Sequence, residues 1–376
     1  MYSDYFKLAS ALLTSFVLTY MFIPSIIKVA TIKHLFDAPG KRKSHTIVIP
    51  TLGGVGIFGG FMISFCLFAN FNIRTHEMKY ILAALCFMFM LGAKDDIVEL
   101  VASKKFIGQI FAASIIVILG DVRLTSLYGL FGISYINDFF SIGLSMVTII
   151  FIINAFNIID GINLLAGSIA ILVSIVFGIW FYYYGFFDYA ILSIAMSGAI
   201  LAFLKYNYTP AKIFMGDSGS LSIGLLVAVL AIQFIEKNEI VLRSHTDGII
   251  TVTAAPAIAI AVLIIPIFDT LRVFILRIFN KKSPFIADRN HIHHRLIDLG
   301  LSHIQATAVL VVTNLVFIIT AYSLQYLGNL YLILIEIALS ILLTFILFSL
   351  NVKRNGNFSL VNSKKSLKFP AEINAN

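Results

Sequence analysis

Apolar runs of about 20 residues, broken by short polar joints, recur along nearly the whole chain. A helix of that length crosses a hydrocarbon core about 30 Å thick. The pattern predicts eleven spans, at 6–27, 51–71, 79–93, 106–120, 139–158, 162–183, 187–204, 219–235, 249–275, 305–327 and 330–350. The last two are joined only by Gly328-Asn329. The runs do not alternate with the two-residue period of a membrane β-barrel, so the expected fold is all-α, a polytopic integral membrane protein. The first run, Phe6 to Ile27, lacks a basic start and a small-residue cleavage site, and reads as an uncleaved span.

Composition strengthens this picture. Of 376 residues, 59% are hydrophobic and only 12% charged, and the mean hydropathy is +0.96. An ordinary soluble domain carries about 25% charged residues. Cys66 and Cys86 fall in separate apolar runs and read as small core hydrophobes, giving neither a disulfide framework nor a cysteine metal site.

Charge sets an expected orientation. Of the 27 Lys and Arg residues, 21 fall on alternate joints, namely 28–50, 94–105, 205–218, 272–304 and 351–376. The other six are Lys7, Arg74, Lys79, Arg123, Lys237 and Arg243. The positive-inside rule puts the rich side in the cytoplasm, hence the C-terminus inside and, with eleven spans, the N-terminus outside. Residues 1–350 read as one transmembrane domain and 351–376 as a basic cytoplasmic tail. The net charge of +8 then serves topology and attraction to anionic lipid headgroups, and no soluble basic domain is present to bind nucleic acid.

Against this background the aspartates stand out, because one at mid-membrane costs about 2.5–3.5 kcal/mol. They gather in four clusters on the basic side: Lys94-Asp95-Asp96, Asn157-Ile158-Ile159-Asp160-Gly161, Gly216-Asp217-Ser218-Gly219-Ser220 and Asp288-Arg289-Asn290-His291-Ile292-His293-His294. Asp95-Asp96 reads equally as a solvated helix end or as a carboxylate pair kept ionised by a divalent cation or basic groups. Asn154, Asn157 and Asp160, at i, i+3 and i+6, form one polar strip on an apolar cylinder, suited to a ligand wall or to bridging between helices. Gly216 to Ser220 offers glycines for close backbone approach and a carboxylate for Mg2+, although Asp217 or Ser218 also suits a plain helix cap. The histidine cluster favours a diphosphate over zinc, since cysteine partners are missing. Asp269 and Arg272, at i and i+3, read as an ion pair within one helix near its cytoplasmic end.

Taken in order from Asp37 to Arg295, these motifs resemble the polyprenyl-phosphate N-acetylhexosamine-1-phosphate transferases, an integral membrane family whose span count agrees with the eleven runs. The His-x-His-His pattern of His291, His293 and His294 is similar to the N-acetylglucosamine-1-phosphate branch. The resemblance implies transfer of N-acetylhexosamine-1-phosphate, most readily GlcNAc-1-phosphate, from a UDP-sugar to polyprenyl (undecaprenyl) phosphate with release of UMP. It implies a bacterial plasma-membrane enzyme with its active site on the cytoplasmic face, initiating lipid-linked cell-envelope glycans. By the same resemblance Asp95, Asp96 and Asp160 are catalytic, and Asp217 with Asp96 holds Mg2+, or Mn2+ in its place. Lys43, His45, Asn154, Asn157, Asn163, Arg289, His291, His293 and His294 are then substrate-binding, and a homodimer is compatible with the family.

The chain departs from many relatives at one turn. Asp160-Gly161-Ile162-Asn163-Leu164-Leu165-Ala166 stands where they read Asp-Gly-x-Asp-Gly-Leu-Ala. Asn163 replaces a carboxylate and Leu164 a glycine, which puts the identity of the sugar, more than the reaction, in question. The competing class is a transporter or flippase for lipid-linked sugars. It would share the basic face, but the chain has no visible internal repeat and its motifs gather on one side. A silent homologue serving as an assembly scaffold is the third reading, against which the intact aspartates argue.

Overall fold

The computed structural model describes residues 2–35, 49–70, 76–244, 251–281 and 290–366. The helices are α1 Tyr2–Ile32, α2 Gly53–Phe68, α3 Glu77–Ile97, α4 Ala102–Ser114, α5 Asp138–Ile159, α6 Leu165–Tyr183 and α7 Phe187–Asn207. They continue as α8 Gly216–Arg243, α9 Ala255–Val262, α10 Ile264–Phe279, α11 Ile292–Asp298, α12 His303–Leu324 and α13 Asn329–Ser366. Among the described residues β structure is confined to isolated bridges, as between Ser126 and Tyr135. The all-α, polytopic expectation is borne out.

Each predicted run coincides with a helix, except that 249–275 is a pair. Among the described residues, eight helices are long and apolar enough to cross a membrane, α4 being counted with the π-helical turn Ile115–Leu119 that continues it, and nine spans result if the bent pair α9–α10 counts as one. The remaining two runs are α2, with 16 residues, and α3, which carries Glu77, Lys94, Asp95 and Asp96 near its ends. The 80° bend between α9 and α10 has a covalent cause. Pro266 lacks an N–H, and its ring would strike the carbonyl of Val262 in a continuous helix. Asn314 of α12 compensates by donating to the carbonyls of Ala261 (3.4 Å) and Val262 (3.1 Å) at the break. At the other end of the chain, α13 runs on to Ser366, past position 350 where its span was expected to end.

The bundle is organised around α8, nearly all of which is buried from Ser218 to Phe234. Its first half is rich in small residues, which lets neighbours come within backbone contact. A Cβ on Gly224 would lie 2.8 Å from Ile153 Cα in α5, and one on Gly54 of α2 would collide with the backbone of Gly219. A short backbone tie completes this end: Phe214 N donates to Pro50 O (2.8 Å), Gly53 N to Phe214 O (2.9 Å) and Gly54 N to Met215 O (2.8 Å). The N-termini of α2 and α8 therefore start side by side, beside the end of α3. Helix N-termini carry partial positive charge, so this end of the bundle is prepared for anions before any side chain is considered.

Candidate active site

Three of the aspartate clusters converge at that end, and the contacts are specific. Asp96, in the last turn of α3, accepts from Asp217 N with Oδ1 (2.6 Å) and from Ser218 N with Oδ2 (3.0 Å). Both its oxygens thus close off the first N–H groups of α8, the groups a helix cannot satisfy by itself. Gly216 makes this approach feasible. It sits at φ +72°, and a Cβ there would meet Thr51 O and both Asp96 oxygens.

Asp95 points elsewhere. Its Oδ1 accepts from Leu100 N (2.6 Å), and its Oδ2 pairs with Lys105 Nζ (2.6 Å). Lys105, in the first turns of α4, also pairs with Asp217 Oδ2. The other Asp217 oxygen accepts from Asn157 Nδ2 (2.6 Å), which also donates to Ser220 Oγ (2.9 Å). One ammonium is therefore shared between two carboxylates contributed by α3 and α8, and α5 supplies an amide to the second. Lys105 was visible in the sequence only as part of a basic pair after Asp95-Asp96; its proximity to Asp217 depends on the packing of α4 against the bundle.

Asp160 caps the end of α5 beside this group. Burial, reinforced by the neighbouring Asp217 and Asp96 carboxylates, pushes its carboxyl well above the usual carboxylate range. Asn154, on the same strip, is occupied otherwise. It exchanges two hydrogen bonds with Gln109 of α4 (2.7 and 3.2 Å) and donates to Ile150 O, so its amide holds α4 against α5. Gln109 is a partner the sequence pattern did not single out.

The histidine cluster reaches the same place from α11. A Cβ on Gly161 would lie 2.6 Å from His293 Nε2, so the ring packs directly on the turn after Asp160. His293 is buried, its Nε2 has no hydrogen-bond partner among the described residues, and burial pulls its pKa down to about 3. Its ring lies 5.7 Å from that of His291, at 8° between planes, and 4.3 Å from that of His294.

Asn163 sits on the far side of the turn. Its Nδ2 donates to Thr209 Oγ1 (3.0 Å), its N–H to His303 Nδ1 (3.4 Å), and its carbonyl accepts from Thr307 Oγ1 (3.0 Å). The side chain is thereby engaged in tying the turn to α12 and to the segment after α7. Leu164, next in sequence, takes φ +72° and donates its N–H to Asn207 Oδ1 (2.7 Å). Lys43, His45 and Arg289 lie outside the described residues, as does Asp288. Among the described residues no group of three or more His, Cys, Asp or Glu is arranged to hold a metal by itself.

Comparison with known proteins gives this arrangement a context. Residues 78–235, which contain Asp95, Asp96, Lys105, Asn157, Asp160 and Asp217, match the model of the family described as glycosyl transferase family 4. The chain is 32% identical over 314 residues, 82% of each chain, to a probable undecaprenyl-phosphate N-acetylglucosaminyl 1-phosphate transferase of Bacillus subtilis. It is 30% identical to a decaprenyl-phosphate N-acetylglucosaminephosphotransferase of Mycobacterium leprae, over 79% of this chain and 78% of that one. The same identity, again over 79% of this chain and 78% of the relative, holds for an undecaprenyl-phosphate alpha-N-acetylglucosaminyl 1-phosphate transferase of Salmonella typhi. Identity of 30–32% over about four fifths of the chain makes it a member of the polyprenyl-phosphate N-acetylglucosaminyl 1-phosphate transferase family.

Proposed function

We propose that this chain transfers N-acetylglucosamine-1-phosphate from UDP-GlcNAc to a polyprenyl phosphate in the plasma membrane, releasing UMP at the cytoplasmic face. The observation that carries the reading is the Lys105 ammonium held between Asp95 and Asp217, beside Asn157 and Asp160, at one end of the bundle. In a chain of this family, that is a centre of alternating charge at which two anionic phosphate groups can meet.

An oxygen of the lipid phosphate attacks the β-phosphorus of the nucleotide sugar. A new P–O bond forms, the bond from the β-phosphorus to the bridging oxygen breaks, and UMP departs with that oxygen. The second pKa of a phosphomonoester is about 6, so the attacking group is largely dianionic at neutral pH and needs no strong base. Asp95, bound to Leu100 N and Lys105, then serves to orient the ammonium that screens the approach. Direct attack inverts configuration at phosphorus, whereas a phospho-aspartyl intermediate on the same residues gives retention.

We further propose Mg2+ as the cofactor, with Asp217 and Asp95 or Asp96 as its protein ligands. Mg2+ in phosphoryl-transfer sites is held by one or two carboxylates, with phosphates and waters completing the shell, and the donor set here suits that pattern. When bound it supplies charge neutralisation of the diphosphate. All six oxygens of Asp95, Asp96 and Asp217 have partners, but Asp96 is held by backbone N–H groups alone, whereas Asp95 Oδ2 and Asp217 Oδ2 face the Lys105 side chain, which can yield to a cation.

The test is to incubate the purified protein with polyprenyl phosphate, Mg2+ and a panel of UDP-N-acetyl sugars, then follow UMP. UMP that appears only when both donor and acceptor are present is the expected result, with UDP-GlcNAc the preferred donor. No UMP from any donor, with lipid-linked sugar moving between leaflets of a vesicle instead, would establish the transporter reading. Chelation should stop turnover and added Mg2+ or Mn2+ restore it.

A further inference from the structure

The helix that carries the histidines cannot position itself. α11 has only seven residues, and a helix that short has negligible stability of its own in water. Its N-cap residue, His291, makes no side-chain capping bond within the helix. The capping instead comes from another element. Asp269 of α10, only 2% exposed, accepts from Ile292 N with Oδ1 (3.0 Å) and faces His291 Nδ1 with Oδ2 (3.0 Å). Arg272, one turn further along α10, donates to Asp269 Oδ1 (2.9 Å) and also to the carbonyl of Asn290.

We infer that Asp269 is a positioning residue for the transfer reaction, holding the His291–His293 strip against the Asp160–Gly161 turn and thereby shaping the nucleotide-sugar side of the site. The inference rests on the functional reading above. A carboxylate accepts only, so His291 must present Nδ1–H to it, which fixes the tautomer and leaves Nε2 on the side away from Asp269. The stacked ring of His293 then lies on Gly161, two residues along α11 from this anchor. The placement of α10 is itself dictated by the bend at Leu263, so the broken span has a use: it aims Asp269 at the start of α11.

Two measurements on Asp269→Asn in the full-length, detergent-purified protein test this. Hydrogen exchange at the α11 backbone should accelerate relative to the native protein, with the rest of the bundle unchanged. The KM for UDP-GlcNAc should rise on the order of 10–100-fold, as for removal of a residue that orients a histidine ligand. The KM for polyprenyl phosphate should stay within about threefold, because only the histidine side is disturbed. Asp269→Asn combined with His291→Gln should be no worse than the poorer single variant, since the two act as one unit. A purely structural role would lower the active fraction and hence kcat while leaving both KM values alone, and that outcome overturns the inference, as does unchanged α11 exchange. If Asp269→Asn does not fold, Arg272→Gln tests the same claim through the Asn290 carbonyl, with a smaller rise in donor KM expected and an unchanged KM overturning it. A native protein that releases no UMP would remove the functional reading, whereas the α11 exchange result would still decide whether Asp269 holds the helix.

Discussion

The backbone N–H of Asp217 points at the side chain of Asp96, 2.6 Å from Oδ1, so the two aspartates meet backbone to carboxylate and divide their work. Asp96 fastens the end of α3 to the start of α8, and Asp217 is left with both its oxygens on the Lys105 and Asn157 side. Two carboxylates adjacent in the proposed reaction centre therefore have distinct expected phenotypes.

Asp217→Asn should abolish UMP release with little change in thermal stability, because the amide still fits against Asn157 and Lys105 loses only one of two partners. Asp96→Ala should lower both. It removes two charge-assisted hydrogen bonds worth about 1.5–3 kcal/mol each and leaves buried N–H groups at the start of α8. Parallel melting curves and UMP assays distinguish the cases; equal stability loss in both variants would refute the division of roles.

Lys105→Gln should reduce kcat by a factor on the order of 10²–10³, the range seen when one charge-stabilising donor is removed from a preorganised site. The loss should be largest at low Mg2+, since without the ammonium Asp95 and Asp217 face each other unscreened. Turnover within about fivefold of native at every Mg2+ concentration would show that Lys105 is a structural tie alone.

The turn after Asp160 offers a test of backbone strain. Leu164 holds φ +72°, which costs a non-glycine residue about 1–2 kcal/mol, and a β-branched side chain tolerates it least. Leu164→Val should destabilise the protein by about 1–2 kcal/mol, whereas Leu164→Gly should stay near native stability. Asn163→Asp should leave the donor preference unchanged, because the side chain meets Thr209 and the hydroxyl there can reverse its role to donate. A switch of preferred UDP-sugar in Asn163→Asp would return this position to the substrate.

His293 makes stability depend on pH with a definite sign. Its folded pKa is about 3 and an unfolded histidine titrates near 6.5, so between these values the unfolded chain binds the extra proton. Stability from this group is complete above about pH 6.5 and falls on acidification, by up to about 1.4 kcal/mol per pH unit. Asp160, raised above its ordinary range, works in the opposite direction, its contribution growing as pH falls. The His293→Gln variant isolates the histidine component: its melting temperature should decline less than that of the native protein between pH 7 and pH 5. Identical slopes would mean that the ring is already accessible to protons.

Much of this protein is written in one dimension. The apolar runs located every membrane-length helical segment but neither the break in 249–275 nor the short polar helix α11. That break needed the local clash of Pro266 with the carbonyl of Val262, an effect that a hydropathy pattern averages away. Asp95, Asp96, Asp160 and Asp217 were legible because burying a carboxylate is so costly that its presence in an apolar chain signals a use. Residue type and spacing could not distribute the tasks among them. Only the packing of α3, α4, α5 and α8 decided that Lys105 belongs between Asp95 and Asp217, and that Asp96 is engaged by backbone. The contact of α4 with α5 committed Asn154 to Gln109, and the approach of the segment after α7 to the Asp160 turn committed Asn163 to Thr209. Asp269 makes the contrast plain. Its pairing with Arg272 follows from helical spacing, whereas its hold on His291 and Ile292 spans 22 and 23 residues from one helix to another, where the partner is set by how helices lie against one another and by nothing in the local sequence.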